Sequence, residues 1–235
     1  MKILILVLSS ADYPYKKLFE AQQKTWDSYK VNDIEVVYYF GNNGIRQQNT
    51  IVTNFQENYL NIAPKTKKAI EICLQNYEFD YLFRPNSSSF VYKENMTKHF
   101  ETLPKSVFQG LVAPYYDKGH FMWGCGYTMS RDVAERLSKA EWNMSLMDDV
   151  SISFAAQKIG IELTGGHKLL TIDSKNDSEY RLLNYGSKAE NRIIKDISEI
   201  DMSEHFHYRV KQDRNRNNDI KIMEKLYGNI KRNLQ

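Results

Sequence analysis

The sequence predicts an α/β fold: a mostly parallel central sheet flanked by helices, in a single domain spanning residues 1–235. Three observations lead there. Ile3–Leu8 is an unbroken apolar run, the pattern of a strand covered on both faces. Strand-like and helix-like segments then alternate along the chain, as they do in α/β sheets. A chain of 235 residues, 42% apolar and 26% charged, has the length and composition for a sizeable soluble core.

The elements follow in order. After the first strand, Ser9-Ser10-Ala11-Asp12 reads as a loop. A helix is expected to start near Pro14, whose fixed φ suits a first turn, and to run past Trp26. Ile34–Phe40 is rich in β-branched and aromatic residues and stops at Gly41-Asn42-Asn43-Gly44, a strand and a turn. Residues 64–76 read as a helix, with Ala69, Ile70, Cys73 and Leu74 on one face. Residues 79–83 form the next strand and deliver the polar loop Asn86-Ser87-Ser88-Ser89. Residues 107–112 and 126–129 are strand candidates. Ser130 is placed to cap a helix over Arg131–Lys139, and residues 148–159 form another, ended by Gly160. Ile220, Met223, Leu226, Tyr227 and Ile230 make one stripe of a basic C-terminal helical segment. The polar run 173–191 reads as a surface segment.

Charge and cysteine content narrow the function classes. The net charge of +3 is too small to argue for nucleic acid. The two cysteines, Cys73 and Cys125, are too few for a disulfide framework and read as thiols of a reducing compartment. Asn-x-Ser/Thr triplets at Asn86, Asn95, Asn143 and Asn176 therefore carry no weight. The N-terminal apolar run is shorter than a membrane span or a signal-peptide core. The expectation is a soluble cytoplasmic protein of bacterial or viral origin without a membrane anchor. Serine-hydrolase elbow, Walker loop, zincin helix and Cys-x-x-Cys motifs are all missing from the sequence.

Three constellations could carry chemistry. Asp148-Asp149 opens a helix after Leu146-Met147; taken alone the pair reads first as offsetting the helix dipole, and compatibly as a general base held rigidly at a helix start. Gly124-Cys125-Gly126-Tyr127 is either a tight strand entry or a place where substrate approaches the backbone, with Trp123 or Tyr127 stacking on a sugar ring. His205 and His207 would share a strand face, and Arg209, Lys211, Arg214 and Arg216 follow closely: a solvated tail, or an anion site for a phosphorylated ligand.

Several segments in order resemble the inverting β1,3-glycosyltransferase family that includes Fringe and the β1,3-galactosyl- and N-acetylglucosaminyltransferases. Gln22-Gln23-Lys24-Thr25-Trp26 resembles its basic-x-Thr-Trp element, and Tyr39-Phe40-Gly41 its Phe-x-x-Gly strand end. Tyr59-Leu60-Asn61-Ile62 with Lys65-Thr66 resembles its Tyr-x-Asn-Leu-x-x-Lys-Thr stretch. Gly126-Tyr127-Thr128-Met129-Ser130-Arg131-Asp132-Val133-Ala134 is similar to its Gly-Tyr-Val-Leu-Ser-Arg-Asp-Val-Ala run. Asp148-Asp149-Val150 resembles its Glu/Asp-Asp-Val element, and Lys158-Ile159-Gly160-Ile161 the Lys-Leu-Gly-Val beyond it. His205-Phe206-His207 is a looser match to its C-terminal His motif.

The resemblance implies a GT-A fold, a nucleotide-sugar donor (a UDP-sugar in most members) and a glycan or glycoconjugate acceptor. It places Asp149 as catalytic base, with Asp148 as alternate. It puts Ser9 and Ser10 at the nucleotide, and Trp123, Gly124 and Gly126 where donor and acceptor meet. Asn86-Ser87-Ser88 falls on the family's Asp-Asp-Asp metal motif, with Phe90-Val91 behind it. This is the main departure. Mg²⁺ and Mn²⁺ prefer carboxylate oxygens, and these three residues offer neutral ones. The expectation is a transferase that uses no metal and meets the leaving diphosphate with basic side chains: Arg84, Arg209, Lys211, Arg214 or Arg216, with His207 beside them. The rival expectations are a catalytically inactive copy of the fold and a carbohydrate-binding module.

Overall fold

The computed structural model describes residues 1–176, 179–184, 192–210 and 216–233. In chain order the elements are β1 (Ile3–Leu8), α1 (Tyr15–Lys24), β2 (Ile34–Phe40), β3 (Thr50–Val52), α2 (Ile62–Asn76), β4 (Tyr81–Pro85), β5 (Ser89–Val91), α3 (Lys93–Phe100), β6 (Phe108–Pro114), β7 (His120–Ser130), α4 (Arg131–Lys139), α5 (Asp148–Lys158), β8 (Leu169–Asn176), β9 (Glu179–Asn184), β10 (Arg192–Ile194), β11 (His207–Val210) and α6 (Arg216–Asn233). The chain folds into two compact units: residues 1–12, 33–86 and 103–167 form the first, and 13–32, 87–102 and 168–235 the second.

The first unit holds a six-stranded sheet ordered β3-β2-β1-β4-β7-β6. Strands β3, β2, β1 and β4 are parallel, and β7 and β6 are antiparallel. The sheet is thus mostly parallel, with helices α2, α4 and α5 packed in this unit, as the apolar patterning predicts. Leu4 and Leu6 on β1 join a core with Val37, Tyr39, Ile70, Cys73, Leu82 and Met129, while Ile3, Ile5 and Val7 are buried on the other face. Burial of both faces explains why β1 reads as a continuous apolar run rather than an alternating one. Cys73 and Cys125 are buried and form no disulfide.

Strand β7 is longer than the segment 126–129 that its sequence pattern marks. Its pairing with β6 is interrupted: Gly110 pairs with Tyr127 and Val112 with Met122, so only Leu111 faces residues 123–126. A bulge of this size leaves backbone groups unclaimed by the neighbouring strand. Helix α5 lies against this stretch and takes one backbone N–H inside it and one at its edge. Met122 N donates to Ser153 Oγ at 2.9 Å, and Gly124 N donates to Asp149 Oδ2 at 2.8 Å. Two residues along a strand advance about 6.6 Å and four along a helix about 6 Å, so the i,i+4 pair on α5 matches the i,i+2 pair on β7.

The second unit holds a five-stranded sheet, β10-β9-β8-β11-β5, that the sequence reading did not anticipate. Part of the run read as a polar surface segment is the antiparallel pair β8–β9; residues 177, 178 and 185–191 lie outside the described residues. Helix α1 ends at Lys24 rather than running past Trp26. Thr25 turns its hydroxyl back onto Ala21 O at 2.7 Å, and the buried Trp26 indole instead donates to Ser89 O at 3.1 Å. Ser130 does begin α4, but its hydroxyl bonds Asp132 Oδ1 at 2.5 Å and gives no side-chain cap. No helix among the described residues is long and apolar enough to cross a membrane.

Candidate active site

In the first unit the carboxyl ends of β1, β2 and β4 lie on one edge of the sheet, the edge at which open α/β sheets bind ligands. Ser9 ends β1 and is buried; its carbonyl accepts from Lys65 Nζ at 3.1 Å. Lys65, on α2, is also buried and lies 2.9 and 3.1 Å from the two carboxylate oxygens of Glu57. Burial pushes the Lys65 ammonium downward, and the Glu57 charge opposes that shift. Glu57 in turn accepts from Gly41 N at the end of β2. A Cβ at position 41 would stand 2.7 Å from Phe55 O and 2.8 Å from Glu57 Cγ, so this turn requires glycine. The Lys65–Glu57 pair therefore ties the ends of β1 and β2 together. Ser10 stays partly open, with its hydroxyl accepting from Asp12 N at 3.1 Å.

Beside this pair lies a second, deeper one. Arg84, on β4, is 1% exposed, and its Nη2 stands 2.5 Å from Asp148 Oδ2 in a buried ion pair. Neutral groups complete the arrangement. Arg84 Nε donates to Tyr39 Oη at 3.0 Å, Tyr39 Oη meets Thr66 Oγ1 at 2.8 Å, and Thr66 Oγ1 donates to Asp148 Oδ2 at 3.3 Å. The guanidinium also lies over the Tyr127 ring, 5.3 Å from its centre. Burial pushes the Tyr39 phenol up to about 12, and it pushes the Tyr127 phenol up as well, so both rings stay neutral.

Asp149 is the neighbour of this pair and is less deeply buried than Asp148. Its Oδ1 accepts from Val150 N at 2.9 Å and its Oδ2 from Gly124 N at 2.8 Å. The carbonyl of the same residue, Gly124 O, accepts from Arg84 Nη1 at 2.9 Å and from Asn86 Nδ2 at 3.4 Å. One residue, through the two peptides that flank its Cα, thus joins Arg84, Asn86 and Asp149. Burial, and after it the charge of Asp148, push the Asp149 carboxyl up to about 6; Arg84 and the two backbone donors pull the other way. A carboxylate held near neutrality can accept a proton from a hydroxyl and later release it.

The structure accordingly brings together Arg84, Asn86, Gly124, Asp148 and Asp149. Arg84 does not stand open to an anionic ligand, because it is engaged with Asp148. Gly124 serves the close approach of Asp149: a Cβ there would lie 2.7 Å from Asp149 Oδ2. Gly126 is buried in the ladder opposite Pro85, and Trp123 is half-buried on β7.

The remaining candidates belong to the second unit. Ser87 and Ser88 are buried, and Ser88 Oγ accepts from Arg216 Nη2 at 2.5 Å. Arg216 also pairs with the buried Asp219 at 3.1 Å. His207 is fully buried, with Nε2 2.7 Å from Ser89 Oγ, and Arg209 is opposite Ser89 in the β11–β5 ladder. His205 is buried just before β11. Lys211 and Arg214 lie outside the described residues. Among the described residues no group of three or more His, Cys, Asp or Glu gathers that could hold a metal ion. The neutral oxygens of Asn86, Ser87 and Ser88 are a poor donor set for a hard divalent cation.

Glu57 went unmarked in the sequence reading, and Lys65, Thr66, Tyr39 and Tyr127 were given no role beyond their place in a motif or, for Tyr127, as a stacking ring. A signal was present for two of them. Lys65 and Thr66 sit one helical turn before Ala69 and Ile70, on the apolar face of α2, where a lysine needs a partner.

No protein-family model matches the chain, and no curated protein matches it. Among solved structures its fold is similar to that of the mannosyltransferase PcManGT from Pyrobaculum calidifontis, in complex with GDP-Man and Mn²⁺, with 11% identity and a TM-score of 0.48, covering 70% of this chain and 54% of that one. It is also similar to HddC from Yersinia pseudotuberculosis, with 11% identity and a TM-score of 0.45, covering 71% of this chain and 90% of that one. The chain therefore spans about half the length of the mannosyltransferase. Superpositions of this extent decide neither family nor activity, and the functional reading is drawn from the geometry above.

Two outcomes follow for stability. Gly124→Ala is expected to push the Asp149 carboxylate off Gly124 N and lower the unfolding free energy by about 1–3 kcal/mol, measured by urea denaturation. Asp149 binds its proton more tightly folded than unfolded. Its contribution is therefore fully present below the unfolded value near pH ~4 and is lost as pH rises through about 6. The loss should reach at most about 3 kcal/mol, since each unit is worth about 1.4. Asp149→Asn should flatten this slope in unfolding curves taken from pH ~4 to ~8.

Proposed function

We propose that the chain is a glycosyltransferase of GT-A type. On this reading it transfers a sugar with inversion from a nucleotide-sugar, a UDP-sugar in the first instance, to an acceptor hydroxyl. The observation that carries the reading is Asp149: a partly open carboxylate, fixed at the start of α5 by the Gly124 peptide, with its proton affinity raised toward neutrality. An inverting displacement needs one base on the face opposite the leaving group and forms no covalent intermediate. The acceptor hydroxyl gives its proton to Asp149 as its oxygen attacks the anomeric carbon, and the nucleoside diphosphate leaves with the bonding electrons. The segment resemblance to the β1,3-transferases supports the same assignment, because Asp148-Asp149-Val150 is the element that resemblance places at the base.

The leaving diphosphate needs positive charge as its bond breaks. In this proposal side chains supply it. Of the described candidates from the sequence reading, Arg84 is the one that belongs to the first unit with Asp149, and the diphosphate would have to share its guanidinium with Asp148; Arg209 and Arg216 belong to the second unit, where Arg216 already pairs with Asp219.

Turnover of a panel of nucleotide sugars tests the reading. Asp149→Asn should lower kcat by about 10²–10⁴-fold, the usual worth of a positioned base, with donor affinity measured by calorimetry unchanged. Wild-type kcat/KM should rise with pH through about 6 and then level off. Unaltered turnover in Asp149→Asn would remove the assignment. In the same assay, EDTA should leave the rate within about twofold of its value with added Mn²⁺; a strict metal requirement would reject the role of the basic side chains.

A further inference from the structure

The proposed reaction uses one carboxylate, yet two stand side by side at the start of α5. The structure treats them differently. Asp149 is partly open and accepts only from backbone N–H groups. Asp148 is turned inward, with its side chain 8% exposed, against the guanidinium of Arg84 and the hydroxyl of Thr66. Arg84 touches both arms of the arrangement. Nη2 faces Asp148, and Nη1 holds the carbonyl of Gly124, whose N–H holds Asp149. The path Asp148–Arg84–Gly124–Asp149 closes on itself through the Asp148–Asp149 peptide bond.

We propose that Asp148 is a positioning residue for Asp149: held in place by Arg84, it sets a negative charge beside Asp149 and strengthens it as a proton acceptor. The guanidinium, which stays charged at every working pH, gives the buried carboxylate a fixed partner. The like charge then makes proton release from Asp149 harder, the second of the ordinary routes by which a site raises a carboxyl. The charged and titratable groups acting on Asp149 are Asp148 on its own helix, Arg84 on β4 and Tyr127 on β7. Tyr127 is held neutral by burial, so the balance lies between the first two. Both act at short range, and Asp148, bonded directly to Asp149 along the chain, outweighs Arg84. The use of this device in catalysis rests on the reading of Asp149 as a base; the electrostatic clamp itself does not.

The test is a ¹³C NMR titration of the Asp149 carboxyl, assigned by its disappearance in Asp149→Asn. In the wild type it should titrate at about 6. In Asp148→Asn the midpoint should fall by about one unit or more, and in Asp148→Glu it should return to within about half a unit of the wild type. Asp148→Asn leaves Arg84 buried without its partner and can fail to fold. The double variant R84M/D148L removes both charges together, and it should still show a lowered midpoint, by less than Asp148→Asn. A wild-type midpoint near ~4, or an unchanged midpoint in either folded variant, overturns the inference. Where donor turnover is seen, the acid limb of kcat/KM should move with the NMR midpoint. A protein that titrates as stated but turns over no donor would refute the transferase reading and leave the clamp standing.

Discussion

A buried guanidinium facing a buried carboxylate organises the first unit. Taking Arg84 and Asp148 out of water costs several kcal/mol per ion, and their attraction repays this only if the remaining hydrogen-bonding groups are also met. The surrounding elements supply those groups: Tyr39 from β2, Thr66 from α2 and Gly124 from β7 meet Arg84 on β4 and Asp148 on α5. Five elements are thereby fixed to one point. A side chain positioned by that point inherits its rigidity, and Asp149 is such a side chain.

The bulge in β7 is the backbone counterpart of this arrangement. The ladder with β4 ends at Gly126, opposite Pro85, and the ladder with β6 is broken between Tyr127 and Met122, so Gly124 lies outside both. Because only Leu111 faces residues 123–126, Gly124 can present its N–H to Asp149 and its C=O to Arg84 and Asn86. The absent side chain at position 124 lets the carboxylate come close, and Ser153, one helical turn along α5, holds the helix in register by taking Met122 N. The cost is carried in stability. A carboxyl whose proton affinity is raised opposes folding once ionised, so the site holds a group the fold alone would not favour.

The strongly periodic or continuous apolar segments were legible in the sequence. Strands β1 and β2 and helices α2, α4 and α5 lie where their patterns place them, within a residue or two. The second sheet was not, because its strands are short or polar: β5 and β10 have three residues each, and β8 ends in Asp173-Ser174-Lys175-Asn176. Asp149, Asp148, Arg84, Asn86 and Gly124 were each singled out, but their partners were not. An Arg beside a strand end reads as a cation available to a ligand, and only the fold shows that Asp148 engages it. Gly124 read as a place for substrate to approach, whereas the approaching group is Asp149. Pairings of this kind join residues up to 82 positions apart, as Thr66 and Asp148 are, and local pattern carries no information about them.

A count of charges bears on how such a site would work. Lys65 and Glu57 neutralise one another at the ends of β1 and β2, and Arg84 neutralises Asp148. Of the ionisable groups described here in the first unit's site, Asp149 is the one carboxylate whose charge no cation contacts directly. A single such carboxylate suits the removal of one proton. It is poorly suited to holding a divalent cation, which draws on several charged oxygens. To recruit Asp148 as a ligand, an ion would have to displace Arg84 and leave a guanidinium buried without its partner, an exchange that costs several kcal/mol. The neutral side chains of Asn86, Ser87 and Ser88 add no charge to this balance. Carboxylates in their place would add negative charge near a carboxyl already raised by burial and by Asp148. With neutral residues there, the charge acting on Asp149 is set by two side chains of the chain itself, Asp148 and Arg84.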